Sequence, residues 1–569
     1  MKLFQQKYWW LFLVIAFGMV MYISINVHAK LDLTSEKRFS ISNATKDLLK
    51  NLDDKVEVEV LLKGNLSSGF RKLSLATEEL LSNFREVSNG KLSFKFVKPG
   101  EGLNDSAKAY LTDSLTYLGV KPFNNQLNRE DGEKTEQLIF PAAVVRYKGK
   151  TKAIDLMSGR SGQDEESTLN FSEALLEFKF DDAIDKLSKS TKPFIGYATG
   201  NGEPLNATVD DLIKTVTDNY RFGPINLKLQ QLNADSIKAL IIVKPSLPFT
   251  DIDKIKIDQY IMQGGKIIWC VDRLYAEFDS LMRSQRTDFI AFDKNLELDD
   301  ILFHYGVRIN SNLLQDLNCA KQPMVIGNNG GQPQIDRVPF PYYPLLTNPS
   351  NHPISKNLDQ VLSIFPSSID TVQSKGIEKT ILLASDTNSR IISTPNLVSL
   401  QNVGHDVDPR LYRESYKPVA VLLEGKFSSL FTNRLTQPGK DTAAKYTGVA
   451  FIANAAKSSQ QIVVSDGDLV TNIITQSQGP LPMGVQQFEN YEFANKEFLM
   501  NCLDFMVGNA AIIETRNKDY TLRLLDKTKV KDEKSFWQLL NILLPLTLIL
   551  LLGVAMQYLR KKKYTFNHP

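Results

Sequence analysis

One loop of the sequence combines residue types that could bind a ligand. The apolar run at 194–198 is followed by Gly200, Asn201, Gly202 and Glu203, and a helical pattern begins shortly afterwards. In sheets of parallel strands, ligands bind outside the carboxyl ends of the strands and beside helix N-termini. The loop is therefore a candidate site for a ligand or a partner. The alternative is a plain tight turn in which the glycines supply positive φ angles.

A second candidate position follows the apolar run at 266–271, where Asp272 and Arg273 would project toward the same edge of the sheet. Glu203 and Asp272 could divide acid and base roles if a cleft separated their pKa values. Cys270 ends the same run, and a pairing of Cys270 with His304 stays open, although no glycine-flanked elbow presents the thiol. These residues keep an exported hydrolase or amidotransferase-like enzyme as an alternative function.

The sequence lacks the motifs of several other kinds of catalytic or binding site. The sequence contains no G-x-x-x-x-G-K-[ST] stretch, so it has no P-loop for ATP. The five histidines include no pair at the spacing of a helical zinc site, and His405, Asp406 and Asp408 fit a solvated acidic turn better than a cation site. A net charge of only +3 gives no reason to expect nucleic acid as a partner. We therefore predict no catalytic residue, no metal and no cofactor.

The three cysteines, Cys270, Cys319 and Cys502, are too few and too scattered for a disulfide framework. Two of them end or occupy apolar patterns, which predicts buried, inert thiols. A single bridge between Cys270 and Cys319 is the alternative in an oxidising compartment.

Two apolar runs bracket the chain and determine where it should lie. Residues 8–27 and 536–559 contain no charge, and each run is long enough to cross about 30 Å of hydrocarbon as a helix. Lysines precede the first run, and Arg560 and three lysines follow the second. Because excess Lys and Arg stay in the cytoplasm, both termini are predicted to be cytoplasmic, at the cell inner membrane, with the main body periplasmic. A signal-peptidase-like sequence at 27–29 leaves cleavage of the first run open.

The residues after the first run read as a small α/β domain. Its predicted elements alternate in type: a capped helix at 42–50, strands at 56–60 and 92–96, an amphipathic helix at 70–87, and a hairpin at 142–156. The β-α-β order implies parallel pairing of the first two strands. The polar stretch at 101–136 is predicted to be a loop-rich insertion.

A polar linker at 159–166 and a helix at 172–187 lead into a second domain with a clearer pattern. Nearly continuous apolar strands alternate with helices, namely strands at 194–198, 225–229, 240–243 and 266–271, and helices at 207–217 and 251–263. This alternation is typical of a doubly wound parallel sheet. Beyond residue 272 the pattern weakens into β-rich runs, and the Gly- and Pro-rich stretch at 328–344 is predicted to be largely loop.

These patterns predict six segments. They are an N-terminal transmembrane anchor or uncleaved signal (1–29), a small α/β domain (30–160), a linker and helix (161–190), a doubly wound α/β domain with β-rich additions (191–480), a helical stalk (481–535), and a C-terminal transmembrane helix with a basic cytoplasmic tail (536–569).

Several long phrases of the sequence closely resemble the GldG family, the auxiliary, substrate-binding-like component of the gliding-motility ABC transporter. The phrases are LDLTSEKRFSIS at 31–42, DQYIMQGGK at 258–266, LDDILFHYGVRIN at 298–310, VLLEGKFSS at 421–429 and NILLP at 541–545. The resemblance implies a membrane-anchored, non-catalytic subunit that works with a polytopic permease and a separate cytoplasmic ATPase. It also implies a flavodoxin-like fold for residues 191–480, of a kind that binds ligands or partners.

One position departs from the family pattern. Family members often carry Gly-His-Gly-Glu in the loop where this chain has Gly200, Asn201, Gly202 and Glu203. Loss of the histidine weakens any catalytic or metal-binding function of that loop. Glycan recognition by the second domain is a further alternative, although the sequence places no cluster of aromatic residues beside Asn201.

Overall fold

The computed structural model describes residues 14, 15, 17–19, 21, 40–120, 122–128, 134–159, 165–277, 288–329, 332–399, 408–475, 478–486, 491–517 and 527–565. The chain forms two compact units, residues 1–518 and residues 519–569. Most of the first predicted membrane span at 8–27 lies outside the described residues, as do most of the predicted linker at 159–166 and of the turn at 405–408.

The first part of the larger unit is a mixed α/β arrangement around a four-stranded sheet. Its elements, in chain order, are α1 (Asn43–Lys50), β1 (Val56–Val60), α2 (Ser68–Val87), β2 (Leu92–Phe96), α3 (Asp105–Tyr117), β3 (Phe123–Asn128), β4 (Lys134–Ile139), β5 (Ala142–Tyr147), β6 (Lys150–Asp155) and α4 (Glu165–Ser188). The sheet order is β2-β1-β5-β6, and β1 pairs with β2 in parallel, as the β-α-β order predicted. Strands β5 and β6 form the predicted hairpin.

One core holds these elements together. Helix α2 buries Phe70, Leu73 and Phe84 against the inner face of β1, as expected from its three- and four-residue spacing. Helix α4 adds Phe180 and Ile184 to the same core. The helix predicted at 172–187 therefore begins earlier than its sequence pattern indicated and packs against the first sheet.

The prediction of a loop-rich insertion at 101–136 is wrong. Helix α3 lies there, and β3 and β4 pair in antiparallel register. Leu111 and Leu115 on α3 pack with a satellite core beside β5, so only one narrow face of the helix is apolar. The strands β3 and β4 are rich in Asn, Gln and Glu, and backbone pairing rather than side-chain alternation defines them.

A seven-stranded sheet forms the centre of the rest of the unit. Its strands are β7 (Phe194–Thr199), β8 (Arg221–Asn226), β9 (Ala239–Val243), β10 (Ile267–Cys270), β19 (Ile377–Ala384), β22 (Pro418–Gly425) and β23 (Ser459–Val464). Their order is β19-β22-β23-β10-β9-β7-β8. The five strands from β23 to β8 are parallel, as predicted, whereas β22 and β19 add an antiparallel edge that the sequence did not reveal.

Both faces of this sheet are covered by helices. On one face lie α6 (Asp251–Met262), α7 (Asp299–Tyr305) and α8 (Gln437–Thr447), and on the other lie α5 (Asp210–Asn219) and α9 (Asn495–Val507). Successive strand residues alternate between the two cores; Ile241 faces one and Ile242 the other. Helix α9 falls within the predicted helical stalk at 481–535 and is buried against the sheet.

The β-rich runs form smaller sheets around the large one. Their strands are β11 (Leu274–Tyr275), β12 (Asp288–Asp293), β13 (Val307–Ile309), β14 (Asn312–Asp316), β15 (Cys319–Asn329), β16 (Gln332–Leu346), β17 (Val361–Leu362), β18 (Ile369–Thr371), β20 (Ser389–Ser393), β21 (Asn396–Ser399), β24 (Ile474–Thr475) and β25 (Gly479–Pro480). The prediction of a loop at 328–344 is wrong, because β15 and β16 pair over most of their length. In a ribbon of this kind, prolines are tolerated where their missing N–H would face away from the partner strand.

The C-terminal unit contains one long helix, α10 (Lys527–Thr565). Among the described residues, its stretch Asp532–Lys561 is the one helix long and apolar enough to cross a membrane. This agrees with the second predicted span at 536–559, and Pro545 lies inside the helix.

Candidate functional site

The loop predicted as a site follows β7 at the carboxyl edge of the parallel strands. Asn201 is fully buried there, and its backbone carbonyl accepts hydrogen bonds from the N–H groups of Ser246 (3.0 Å) and Leu247 (2.9 Å). The Ser246 hydroxyl donates to the carbonyl of Gly202 at 3.1 Å. The loops after β7 and β9 are thus bonded to each other, which closes the crevice where the strand order reverses.

Glycine is required at one position of this loop. Gly202 has a φ of +83°, and a Cβ added to it would lie 2.1 Å from the Ser246 hydroxyl oxygen. A side chain at this position would strain the backbone and separate the two loops. The tight-turn alternative therefore explains this glycine without a ligand.

The two polar side chains of the loop are buried and only partly satisfied. Glu203 Oε2 accepts a hydrogen bond from the Asn201 N–H at 2.8 Å, and burial raises the pKa of this carboxyl. The Asn201 amide donates to the Pro248 carbonyl (3.3 Å) and to Asp253 (3.4 Å). Asn201 Oδ1 and Glu203 Oε1 accept no hydrogen bond from any described residue. Buried water is the usual partner of such oxygens.

A charged cluster occupies the same sheet edge at β9, β10 and β23. Carboxylate oxygens of Asp272, Asp466 and Asp468 lie within 4.8 Å of one another. The Lys244 ammonium lies 2.5 Å from Asp468 Oδ1 and 3.4 Å from Asp272 Oδ2, and Lys294 lies 3.7 Å from Asp272. Each of these aspartates and Lys244 follows directly on, or shortly after, a buried strand.

Within the cluster, the positive charges of the lysines compensate part of the negative charge of the aspartates. Burial alone would raise the pKa of Asp272, but the ammonium groups of Lys244 and Lys294 outweigh it and lower that pKa. Burial and the carboxylates of Asp468 and Asp272 raise the pKa of Asp466 well above its usual value. Three clustered carboxylates are a donor set that a divalent cation could use, yet the Lys244 ammonium already lies against two of them.

Arg273, predicted at the same edge, points away from the cluster. Its guanidinium donates to Asp293 Oδ2 at 2.7 Å, to the carboxylate of Asp299 and to the carbonyl of Ile309 at 2.7 Å. It ties β10 to β12 and to the start of α7. Asp272 and Glu203 also belong to separate sets of contacts, so the structure does not bring the predicted acid–base pair together.

The nucleophile required by the enzyme hypothesis is poorly placed. Cys270 is fully buried, and burial raises the pKa of its thiol. A thiol that stays protonated is a weak nucleophile. All three cysteines are free, so the alternative bridge between Cys270 and Cys319 is not formed.

His304 is not available as a base for a neighbouring hydroxyl. Its Nε2 lies 2.9 Å from the carbonyl oxygen of Ser428 and 3.4 Å from the Ser428 hydroxyl. A carbonyl only accepts hydrogen bonds, so Nε2 must carry the proton and cannot take one from Ser428.

The sequence analysis did not identify Lys244, Asp466 and Asp468 as site residues. The signal was present, because each stands just beyond an apolar run that ends as a buried strand. Applying the carboxyl-edge rule to every parallel strand, rather than only to those at 194–198 and 266–271, would have found them.

The chain is similar to known proteins over most of its length. Residues 192–502 match the model of a family described as an ABC-type uncharacterized transport system, and residues 35–146 match a domain of unknown function, DUF7088. An uncharacterized protein of Borreliella burgdorferi is 23% identical over 441 residues, which cover 75% of this chain and 79% of the relative.

Two solved structures show weaker similarity. The mmIFT52 N-terminal domain aligns with 56% of this chain and 98% of its own at 11% identity and a TM-score of 0.29. The exo-beta-1,4-mannosidase Op5Man5 from Opitutaceae bacterium strain TAV5 aligns with 71% of this chain and 46% of its own at 8% identity and a TM-score of 0.20. At such scores neither alignment bears on the fold or the function.

Proposed function

Because this chain belongs to the family described as an ABC-type uncharacterized transport system, we propose that it is a non-catalytic, membrane-anchored subunit of an ABC transporter. Its finer assignment as the GldG-like subunit of a gliding-motility system is part of the proposal. That assignment rests on the phrase-level resemblance of the sequence.

The observation that carries the non-catalytic role is the state of the carboxyl edge of the parallel sheet. Hydrogen bonds between the loops after β7 and β9 close the crevice, and the ion pairs of Lys244 fill the neighbouring edge. Cys270 is buried beneath this edge. An enzyme of this fold class would need an open crevice with a reactive group in it.

The fold is consistent with a binding module. When the five parallel strands are numbered in chain order, their spatial order across the sheet is 2-1-3-4-5, which is the flavodoxin-like order. This supports the flavodoxin-like assignment of residues 191–480. In such a module, Gly200, Asn201, Gly202, Glu203, Asp272 and Arg273 would shape the sheet edge that faces a partner, with Gly202 exposed and Asn201 and Glu203 buried beneath it, rather than serve as a catalytic site.

The membrane placement rests on the two apolar runs. Helix α10 carries Arg560 and three lysines at its end, which supports a cytoplasmic position of that end by the positive-inside rule. With the run at 8–27 as a second anchor, both termini are cytoplasmic and the main body is periplasmic. The partners are then a polytopic permease beside the two helices and a cytoplasmic ATPase that supplies the P-loop this chain lacks.

Purification of the intact chain from its native membrane in a mild detergent tests this function. We expect mass spectrometry to find a polytopic permease and a P-loop ATPase in a fixed ratio to this chain. Recovery of the chain alone, under conditions that preserve other membrane complexes, would contradict the proposal.

The hydrolase alternative has its own test. If a turnover activity is found, it should disappear in a variant with Cys270→Ala, Glu203→Gln and Asp272→Asn. Activity that survives all three substitutions would dismiss these residues as its catalytic groups.

One specific observation favours the alternative function of glycan recognition by the second domain. The rings of Tyr275 on β11 and Phe292 on β12 lie side by side at the surface, with centroids 4.9 Å apart. Loss of binding to an isolated envelope glycan in the Phe292→Ala variant would support this alternative, and unchanged binding would remove it.

A further inference from the structure

One of the small sheets is apolar on both of its faces. Strands β11, β12 and β21 pair in that order, and their inner face supplies Leu274, Ala291 and Val398 to a buried core. In antiparallel sheets with one face on a core, the other face normally carries polar residues. Strand β1 shows that alternation, with buried valines between more exposed glutamates. The outer face of the small sheet departs from it.

Four large apolar side chains lie on this outer face. Phe292 on β12 stands opposite Tyr275 on β11, and Ile290 on β12 stands opposite Leu397 on β21. Because residues i and i+2 of a strand share a face, Ile290 and Phe292 join the two pairs into one continuous stripe. Each of the four is between 42% and 57% exposed. We call these four side chains the outer patch.

The size of the outer patch limits what can cover it. At these exposures, four side chains of this size present about 400 Å² of apolar surface. Patches of roughly 300–600 Å² are the largest on a typical monomer and are often functional. A stable dimer buries about 800 Å² on each partner, so the outer patch is too small to hold two copies of this chain together by itself.

The shape of the outer patch fits a single helix. Three strands at their usual spacing of about 4.8 Å span about 10 Å, and an α-helix with its side chains is about 10–12 Å wide. Helices cover both faces of the large sheet in this same protein. In the part of the chain that the structure describes, the outer patch stays exposed, so a partner can supply the missing helix.

The charges beside the outer patch indicate the chemistry of that helix. Asp288 precedes Ile290 by two residues on the same face and is exposed, and Glu277 follows Tyr275 by two residues and is 45% exposed. The neighbouring basic groups are turned inward: Lys294 is 3% exposed and pairs with an aspartate, and Arg273 is held by two others. This acidic rim attracts a basic partner and repels an anionic lipid surface.

We propose that the outer patch is the docking site for one amphipathic helix of a partner protein. Its apolar residues, at three- and four-residue spacing, cover the outer patch, and its Lys or Arg residues face Asp288 and Glu277. The inference goes beyond the transporter role and holds whichever protein carries the helix. The co-purification test above and the test below therefore succeed or fail separately.

The geometry of the two rings favours a helix over a sugar at this face. The Tyr275 and Phe292 rings are tilted by 39° with centroids 4.9 Å apart, so they pack partly on each other and do not form one flat platform. The aliphatic side chains of Ile290 and Leu397 make up the rest of the outer patch. A helix with apolar side chains can cover all four residues at once.

Photocrosslinking in the native membrane tests the proposal. The full chain carries p-benzoylphenylalanine in place of Phe292, and mass spectrometry identifies the crosslinked peptide. We expect a peptide of another protein that has apolar residues at three- and four-residue spacing and Lys or Arg on its other face. The same photoreactive residue in place of Ile213, which is 43% exposed on α5, is the control and should not crosslink to that peptide.

A synthetic peptide of the crosslinked segment then measures the contribution of the outer patch. It is titrated against the full chain in nanodiscs, which keep free detergent away from the apolar side chains. Replacing Ile290 and Leu397 together with Thr should weaken binding about tenfold or more, because two apolar anchors are lost. Threonine is itself a good strand residue, so the sheet is kept. The matched control, Ile213→Thr, should leave the affinity unchanged.

The acidic rim provides a second variant that leaves the apolar side chains in place. Binding of the peptide to the unmodified chain should weaken as the salt concentration rises, because salt screens the attraction between opposite charges. In the double variant D288K and E277K, binding at low salt should be weaker and should no longer fall as salt is added.

Several results would overturn the proposal. Crosslinks from position 292 that go only to the same chain, including residues 278–287 outside the described part, would show that the chain covers the outer patch itself. Crosslinks only to a second copy, a lipid or a glycan, or no crosslink at all, would equally exclude a partner helix. So would unchanged peptide affinity in the Ile290→Thr, Leu397→Thr chain, or unchanged salt dependence in the charge-reversed chain.

Discussion

Lys244 shows how a single buried cation can determine the character of a sheet edge. Its ammonium lies between Asp272, which follows β10, and Asp468, which follows β23. It compensates the negative charge of carboxylates that would otherwise repel one another or attract a metal ion. Asp272 and Asp468 raise the pKa of Lys244 well above its usual value, against the opposing effect of burial. The charge is therefore present at every physiological pH.

Replacing Lys244 with Met should destabilise the protein strongly. The substitution leaves buried carboxylates without their main counter-ion, and removal of one partner from such a group costs about 3–5 kcal/mol. Chemical denaturation near neutral pH measures the change. Lys445→Met, at an exposed position on α8, is the control and should change the free energy of unfolding by less than about 0.5 kcal/mol. Equal effects of the two substitutions would show that the cluster is not balanced by Lys244.

His352 should make stability depend on pH. Its Nδ1 accepts a hydrogen bond from the N–H of Ile354 at 3.3 Å, its ring packs edge-on against Phe505, and burial lowers its pKa to about 4. The unfolded chain takes up this proton near pH 6.5, so the stability is fully present above that value and is lost as pH falls toward about 4.

Comparison of His352→Gln with the unmodified chain isolates this effect. The loss of stability between about pH 7 and about pH 4.5 should be smaller in the variant, by about 1–2 kcal/mol after allowance for partial exposure of the ring. Parallel curves for the two proteins over this range would contradict the assignment. His304→Gln, at the surface, is the control.

At the scale of elements, helix α6 shows what local sequence can specify. Thr250 precedes it and forms a capping box with Asp253: the Thr250 hydroxyl accepts from the Asp253 N–H at 3.3 Å, and the Asp253 carboxylate accepts from the Thr250 N–H at 2.8 Å. The motif is local, so it could be recognised before any tertiary contact was known.

Thr250→Ala should lower the free energy of unfolding by about 1 kcal/mol, because the first turn of α6 loses its cap. Thr436→Ala is a matched control, since Thr436 is also a threonine at a helix start but its side chain makes no capping hydrogen bond. Denaturant midpoints of the two variants, compared at constant slope, measure the difference. A larger effect at Thr436 would show that the capping box does not stabilise α6.

In the whole molecule, the larger unit contains the folded core, and the smaller unit contains the apolar helix proposed as a membrane anchor. The helices and strands of the larger unit bury their apolar faces within residues 1–518, whereas α10 exposes its apolar side chains throughout. A chain that ends at residue 517 should therefore fold without α10.

Such a chain also tests whether the first apolar run is retained as an anchor. We expect the truncated protein to stay in the membrane fraction after an alkaline carbonate wash, because it keeps the proposed N-terminal span at 8–27. Its release into the soluble periplasmic fraction, with a shortened N-terminus, would show that the run is a cleaved signal. The full-length chain, held by α10 in either case, is the control.

Patterns among neighbouring residues were enough to predict several elements. Alternating valines predicted β1, three- and four-residue spacing predicted α2, continuous apolar runs predicted the parallel strands, and the charge-free run at 536–559 predicted the long apolar helix α10. It failed at β3 and β4, and at β15 and β16, where pairing through the backbone defines strands whose side chains show no alternation.

The chemistry available at the carboxyl edge of the sheet depends on contacts between distant parts of the chain. The sequence placed Asn201, Glu203 and Asp272 at that edge, but distant parts of the chain determine their environment: the loop at 246–248 closes over Asn201, and Lys244 and Asp468 hold Asp272. Such contacts join residues far apart in the chain, and their charges and burial depend on distances that no local pattern records.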